Sequence, residues 1–412
     1  MNRYDALERE LTAWFVEMAA PRKPFYTSDI VQLTATVRQR PRWAFPERWF
    51  PMTVVAFGRR NVAPFPWRPI GLLAALVILL IAAAVFAGSQ PRLPPPFGLA
   101  ANGVVAYTQN GDILTVDPAT GARTWITSGN ENDHEPRWSL DGTRLAFLRD
   151  NSVTTVVDSA AIDVVVVVDR EGSVIAKSRP IPGIDPDAVA WAPDGRSIAV
   201  GAYENIQLVD AVDGTVKWVN VGYDGLDFYW RPGVARELLF QGRTSEGIGL
   251  VVAAVDEPAS ASLILAAPSG VTLRPNGWTA DGRRVVYTRI DEDAETVSVH
   301  VLEVDTGVEV EIDAAFAHVS NDGTRLLAID PAGRPCVASV HGGPCIAIGE
   351  PGQTYIGMHA AAAHWAPDDG SIMVRVPAGD GLRGVLLDPT GGTNEQPSWL
   401  AADAESWQRL AR

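Results

Sequence analysis

The chain has 412 residues, of which 47% are hydrophobic and 8% aromatic, and its formal net charge at pH 7 is −15. That balance excludes a wholly disordered chain and fits a globular protein with a sizeable core. The charge is unevenly spread: residues 1–69 hold 11 Lys+Arg and 6 Asp+Glu, a net of +5, and the remainder carries −20.

Tyr4 to Ala20 reads as an amphipathic helix, with Leu7, Leu11, Trp14, Phe15 and Met18 at helical spacing on one face. Pro21 and Pro24 stop it. A second short helix is expected from Ser28, its cap, to about Arg38, with Ile30, Leu33 and Val37 along one side. Fewer than 70 residues bury little core of their own. The pair therefore reads either as a self-packed mini-domain or as a docking site for a cytoplasmic regulator.

Arg38 to Phe50 mixes Arg, Trp and Pro, and Pro41, Pro46 and Pro51 forbid a continuous helix there. Arg with aromatics suggests nucleic acid in other contexts. Here the stretch leads into a hydrophobic run, so Trp43, Trp49 and Trp67 suit a bilayer interface and the arginines suit anionic headgroups. No nucleic-acid partner is expected.

Ile70 to Ala87 carries no charged or strongly polar residue, and its 18 residues lie between Pro69 and Gly88. At about 1.5 Å per residue such a helix spans a hydrocarbon core. A buried core helix is the competing reading. Arg59, Arg60 and Arg68 precede the run and only Arg92 follows soon after, which puts the N-terminus in the cytoplasm and the rest outside. The expected organisation is a cytoplasmic segment over 1–66, a transmembrane helix over 67–88, a stiff proline-rich spacer over 89–97 and an extracytoplasmic domain over 98–412.

From Trp138 onward one stretch recurs. WSLDGTRLAF at Trp138 is echoed by WAPDGRSIAV from Trp191, WRPGVARELLF from Trp230, WTADGRRVVY from Trp278, HVSNDGTRLLAI from His318 and WAPDDGSIMV from Trp365. Asp-Gly between apolar runs predicts hairpins with type I′ turns. The third copy lacks Asp-Gly, and in the fifth His318 stands where Trp is expected. A second series of apolar strands closes on Asp117, Asp169, Asp210, Asp256, Asp305 and Asp388, with the slot ending at His341 as a seventh. A period of about 40 to 50 residues with four strands per unit predicts an all-β propeller of seven blades, six being the alternative. The unit from Val104 lacks a leading Trp strand, and ESWQRLA around Trp407 is a stray strand, so the two chain ends are expected to share one blade.

These repeats resemble the PD40 or TolB-like family of propellers, marked by W-S-P-D-G-x-x-[IL]-A-[FY], over roughly residues 98–412. The resemblance implies a protein-binding scaffold or an accessory domain, though fold alone does not fix function.

The chain offers no G-x-S-x-G elbow, H-E-x-x-H, Walker loop or zinc-spaced cysteine pair. No catalytic, metal or cofactor residues are assigned, and a non-catalytic role is expected. His134 in GNENDHEPRW sits among carboxylates, but a solvated loop explains it. Cys336 and Cys345 flank a hairpin loop and are a candidate disulfide for an exported domain. The loops entering each inner strand and leaving the second strand share one propeller face and are acidic. They carry Glu131, Asp133 and Glu135; Asp185 and Asp187; Asp224 and Asp227; and Asp291, Glu292, Asp293 and Glu295. This is the candidate binding face for a basic partner or cation, unless it is a merely solvated rim. Two functions from different classes follow. One is a membrane-anchored binding scaffold; the other is a transmembrane signal transducer of anti-sigma-factor type.

Overall fold

A computed structural model describes residues 72–80, 93–151, 162–203, 205–234, 236–356, 363–379, 381–401 and 404–412. The candidate partner helix with Leu7, Leu11, Trp14, Phe15 and Met18 lies outside them. Two units separate at Ser89/Gln90. In the first, residues 72–80 form a helix whose leucines are exposed, Leu72 at 73% and Leu79 at 65%. Among the described residues no helix is long and apolar enough to cross a membrane, and the flanks of the Ile70–Ala87 run lie outside them.

In the second unit the strands form seven antiparallel sheets in sequence, which settles the blade number at seven. Blade 2 begins with Asp133–Trp138, blade 3 with Ile184–Trp191, blade 4 with Tyr223–Trp230 and blade 5 with Val271–Trp278. Blade 6 begins with Ala315–Val319 and blade 7 with His364–Trp365. Blade 1 is assembled from both ends: Ala404–Leu410 pairs with Ala101–Gln109, Ala101 opposite Leu410, as the stray Trp407 strand predicts. Among the described residues blade 7 has three strands, the first of them only His364–Trp365, and its fourth is reduced to one bridge between Leu386 and Glu395.

The core lies between blades. Seven apolar clusters fill the gaps between successive sheets. One joins Val165 and Val167 of blade 2 to Trp191 and Ile198 of blade 3, and another joins Leu386 of blade 7 to Tyr107 of blade 1. No blade buries its own faces, so each sheet needs two neighbours and the ring must close.

The recurring Trp serves that contact. Trp191 Nε1 donates to Arg137 O at 2.8 Å, Trp230 Nε1 to Ala190 O at 3.3 Å and Trp365 Nε1 to His318 O at 3.0 Å. In each case the acceptor is the residue before the Trp position in the preceding blade. The register also corrects the fifth copy. Val319 faces Leu326 as Trp138 faces Leu145, so Val319, and not His318, holds the Trp position.

The hairpins form, but not with type I′ geometry. Ser139 N bonds to Arg144 O and Gly142 N to Ser139 O, which makes a four-residue loop in which Gly142 has positive φ and Asp141 does not. The reason is the Asp side chain: Asp141 Oδ1 accepts from Thr143 N at 2.9 Å and Ser139 Oγ at 2.6 Å, fastening a tight loop of its own. Asp322 repeats this with Ser320 and Thr324. At Gly142, φ is +65° and a Cβ would collide with the Arg409 carbonyl oxygen, so the position requires glycine. In blade 7 the equivalent residue is Asp369, with φ +58° and its N–H bonded to Ala366 O, so Gly370 is displaced by one.

Cys336 and Cys345 form a disulfide with Cα atoms 5.4 Å apart, tying the third strand of blade 6 to the start of its fourth.

Candidate functional site

The inner strands of blades 1 to 6 pack in succession, and with that of blade 7 they surround a central channel holding a cavity of about 490 Å³. Every blade contributes to its wall.

One end is crossed by main chain. Residues 96–98 line the cavity; Phe97 packs on the cluster of blades 3 and 4, while Ala100 N bonds to Pro367 O of blade 7. The segment therefore crosses the mouth. Arg409, 8% exposed, holds it there by donating to Pro95 O at 3.2 Å and Gly98 O at 2.5 Å, and to Asn321 Oδ1 at 2.7 Å. Asn321 is bonded in turn to Asp369: its N and Nδ2 donate to Asp369 Oδ1 at 2.9 and 2.7 Å, and Asp322 N donates to Oδ2 at 2.8 Å. The end of the expected stiff proline-rich spacer thus runs onto the propeller, with Pro94 buried.

The predicted acidic residues gather toward the other end, but many of their charges are compensated. Asp133 is 1% exposed and chelated by Arg149, with contacts of 2.6 and 2.8 Å. Glu135 pairs with Arg137 at 2.8 Å, Asp227 with Arg274 at 2.8 Å and Asp291 with Arg289 at 3.0 Å. Glu131, Asp185, Asp187, Glu292, Asp293 and Glu295 are exposed. The side chain of Asp224 lies outside the described residues. Partial burial, then the charges of Asp187 and Asp227, raise the Asp185 carboxyl above its usual range. Among the described residues no group of three or more His, Cys, Asp or Glu is arranged to hold a metal ion. His134 lies on the first strand of blade 2, its Nε2 3.4 Å from Asp163 Oδ1.

Sequence reasoning named Asp187 and Asp227 but missed the rest of the channel wall, Arg137, Arg274, His318 and His364. Asp187 and Asp227 line it from blades 3 and 4, Arg137 from blade 2, Arg274 from blade 5, His318 from blade 6 and His364 from blade 7. Burial, then the positive fields of Arg137, His318 and Arg375, pulls His364 down to about 3, so its imidazole is neutral at physiological pH. Its Nε2 is shut from solvent without a hydrogen-bond partner among the described residues. The signal available in the sequence was positional: each of these residues except His318 lies one to four positions before a repeat Trp. His318 precedes a Val in that position, and His364 directly precedes Trp365.

No protein-family model matches the chain, and no curated protein matches it. Several solved structures are similar in fold. TolB from Acinetobacter baumannii is 13% identical, with 74% of this chain and 81% of that chain covered and a TM-score of 0.43. The β-propeller domain of the Trilobed protease from Pyrococcus furiosus is 13% identical, with coverage of 65% and 85% and a TM-score of 0.45. The periplasmic gluconolactonase of Pseudomonas aeruginosa is 14% identical, with coverage of 75% and 99% and a TM-score of 0.49. The likeness is one of fold, and these names span proteins of different activities.

Proposed function

We propose that the protein is a membrane-anchored, extracytoplasmic binding module that takes its ligand in the propeller channel. The observation that carries this reading is the channel itself: a cavity of about 490 Å³, crossed at one mouth by residues 96–98 and lined at the other by charged side chains. The anchor is the apolar run Ile70 to Ala87, and the positive charges before it keep residues 1–66 in the cytoplasm. The Cys336–Cys345 disulfide supports placement of the propeller in an oxidising compartment. Ala190 lines the channel, and Ala190→Trp would fill it.

The test is dialysis of the detergent-solubilised full chain against a low-mass extract of the cells that make it, followed by mass spectrometry of what is retained. The wild-type chain is expected to retain compounds that Ala190→Trp does not. Identical retention by both would sink the channel reading. The transducer reading rests on the apolar face of Leu7, Leu11, Trp14, Phe15 and Met18, which is suited to holding a cytoplasmic regulator. Deleting residues 1–60 while keeping Arg68 and the apolar run separates the two readings, because an anchored scaffold keeps its binding and a transducer loses its output.

A further inference from the structure

The third strand of blade 5, Thr296–Glu303, carries Ser298 and His300 two positions apart, and the period of a strand puts both on one face. The register sets Tyr287 of the second strand opposite His300 and Arg289 opposite Ser298. The fourth strand, Glu309–Ile312, adds Glu309 and Glu311 to the same face. Ser298 Oγ lies 2.8 Å from His300 Nε2, and Glu309 Oε1 lies 2.5 Å from His300 Nδ1. A carboxylate oxygen that close demands a proton on Nδ1, which leaves Nε2 as an acceptor and makes the Ser298 hydroxyl its donor. The Glu309 contact is bent away from the ring N–H axis, so the carboxylate acts through its charge more than through an aligned bond. Tyr287 completes the frame: its ring stacks on His300 at 5.2 Å, and its hydroxyl donates to Glu309 Oε1 at 2.5 Å. His300 is 7% exposed, whereas Ser298 is half-buried and Glu309 reaches solvent.

We propose that this face of blade 5 is an acyl-transfer site for small esters, with Ser298 as nucleophile, His300 as general base and Glu309 as the positioning residue behind the base. Ser298 Oγ bonds to the ester carbonyl carbon while its proton passes to His300 Nε2. The ester C–O bond then breaks, and the alcohol departs with that proton. Water attacks the acyl-enzyme, gives its proton to the same nitrogen and releases the acid, and Ser298 recovers its hydrogen. The imidazolium formed in each step lies against the Glu309 carboxylate, which stabilises it. Arg289 stands across from Ser298 and supplies positive charge for the oxyanion; its Nη2 alone is engaged among the described residues, with Asp291 Oδ2 at 3.0 Å. Neither Ser298 nor His300 lines the central channel, so this activity is separate from the ligand site proposed above.

The experiment is treatment of the folded full chain in detergent with diisopropyl fluorophosphate, the modified residue being located by peptide mass spectrometry. The serine oxygen displaces fluoride from phosphorus, and its proton again goes to His300. Ser298 is expected to be labelled at least about 100-fold faster than in the urea-unfolded chain, the size of a general-base contribution. 4-Nitrophenyl acetate is expected to be hydrolysed, and Ser298→Ala to abolish both reactions. His300→Ala is expected to fall to the unfolded rate and to recover in part with added imidazole, a rescue that a merely structural role does not produce. Glu309→Gln is expected to slow labelling about tenfold and to move its pH midpoint toward acid, because a carboxylate beside an imidazole favours the protonated form. An unchanged thermal midpoint certifies the fold of each variant, and the wild-type comparison decides even where a variant unfolds. Labelling of Ser298 no faster than in the unfolded chain, or at the same rate in folded His300→Ala, overturns the proposal. Either result leaves the channel reading standing, since the two sites share no residue.

Discussion

The two ends of the propeller are built from the same seven repeats and handle polarity in opposite ways. At the end carrying the Asp-Gly turns, hydrogen bonds run from blade to blade. Gln408 Nε2 donates to Gly142 O at 2.8 Å, Arg231 Nε to Gly282 O at 2.9 Å and Arg325 to Asp369 O at 3.1 Å. The segment over residues 96–98 then crosses that mouth. At the other end the loops differ from blade to blade in length and charge, and Asp187 and Glu131 stand exposed. Uniform turns serve the ring, because every blade must fit the next. Loops freed from that duty can be spent on a ligand.

The contrast is broken most severely at Asp369. Its carboxylate, 4% exposed, accepts three hydrogen bonds from Asn321 and Asp322. Asp369→Ala strips those half-buried donors of their acceptor and is expected to cost about 2 to 3 kcal/mol in chemical denaturation. By comparison, Asp293→Ala on the opposite end should change stability by less than about 0.5 kcal/mol. Equal losses at the two positions would refute the division.

The disulfide comes next. Replacing Cys336 and Cys345 by Ser opens a loop of sequence separation 9 and is expected to cost about 2 to 3 kcal/mol. The same loss should follow from a reductant in the wild-type protein.

The channel wall is probed by pH. His364 titrates at about 3 when folded and at its ordinary 6.5 when unfolded, so the unfolded chain binds more protons between those values. Its contribution to stability is present above pH 6.5 and is lost as pH falls toward 3. Between pH 6.5 and 5 the loss is about 1 to 2 kcal/mol, since one proton is worth at most about 1.4 kcal/mol per pH unit. His364→Phe should flatten that part of the profile, and an unchanged slope would show that His364 is not the titrating group.

The smallest effect tests the Trp latch. Trp191 donates to the preceding blade, whereas Trp278 Nε1 is buried without a partner among the described residues. Against a shared loss of ring size, Trp191→Phe should cost about 1 kcal/mol more than Trp278→Phe in denaturant melts.

The blades were legible in the sequence because a repeat multiplies a weak local signal. Any one Asp-Gly pair says little, but six copies in phase specify a ring, and the odd strand around Trp407 specifies how it closes. Single substitutions inside the repeat were harder to place. His318 looked like the Trp substitute because it opens the apolar run, and only the pairing of Val319 with Leu326 shows the true register. The acidic face was legible as composition but not as free charge. Arg149, which neutralises Asp133, lies 16 residues further on in the next strand, and Arg274, which pairs with Asp227, lies a whole blade away. The strap at Pro94 to Gly98 left no periodic mark, since its hold depends on Arg409 at the far end of the chain.

The pairing of Ala404–Leu410 with Ala101–Gln109 gives the protein a birth order. A nascent chain emerging from a ribosome or a translocation pore has six blades before it has a circle. Throughout that interval the strand from Ala101 waits with an unsatisfied edge, open to chaperones or to another chain. Only the arrival of Ala404–Leu410 turns the arc into a ring, so a chain that lacks this one strand keeps six blades and is topologically unfinished.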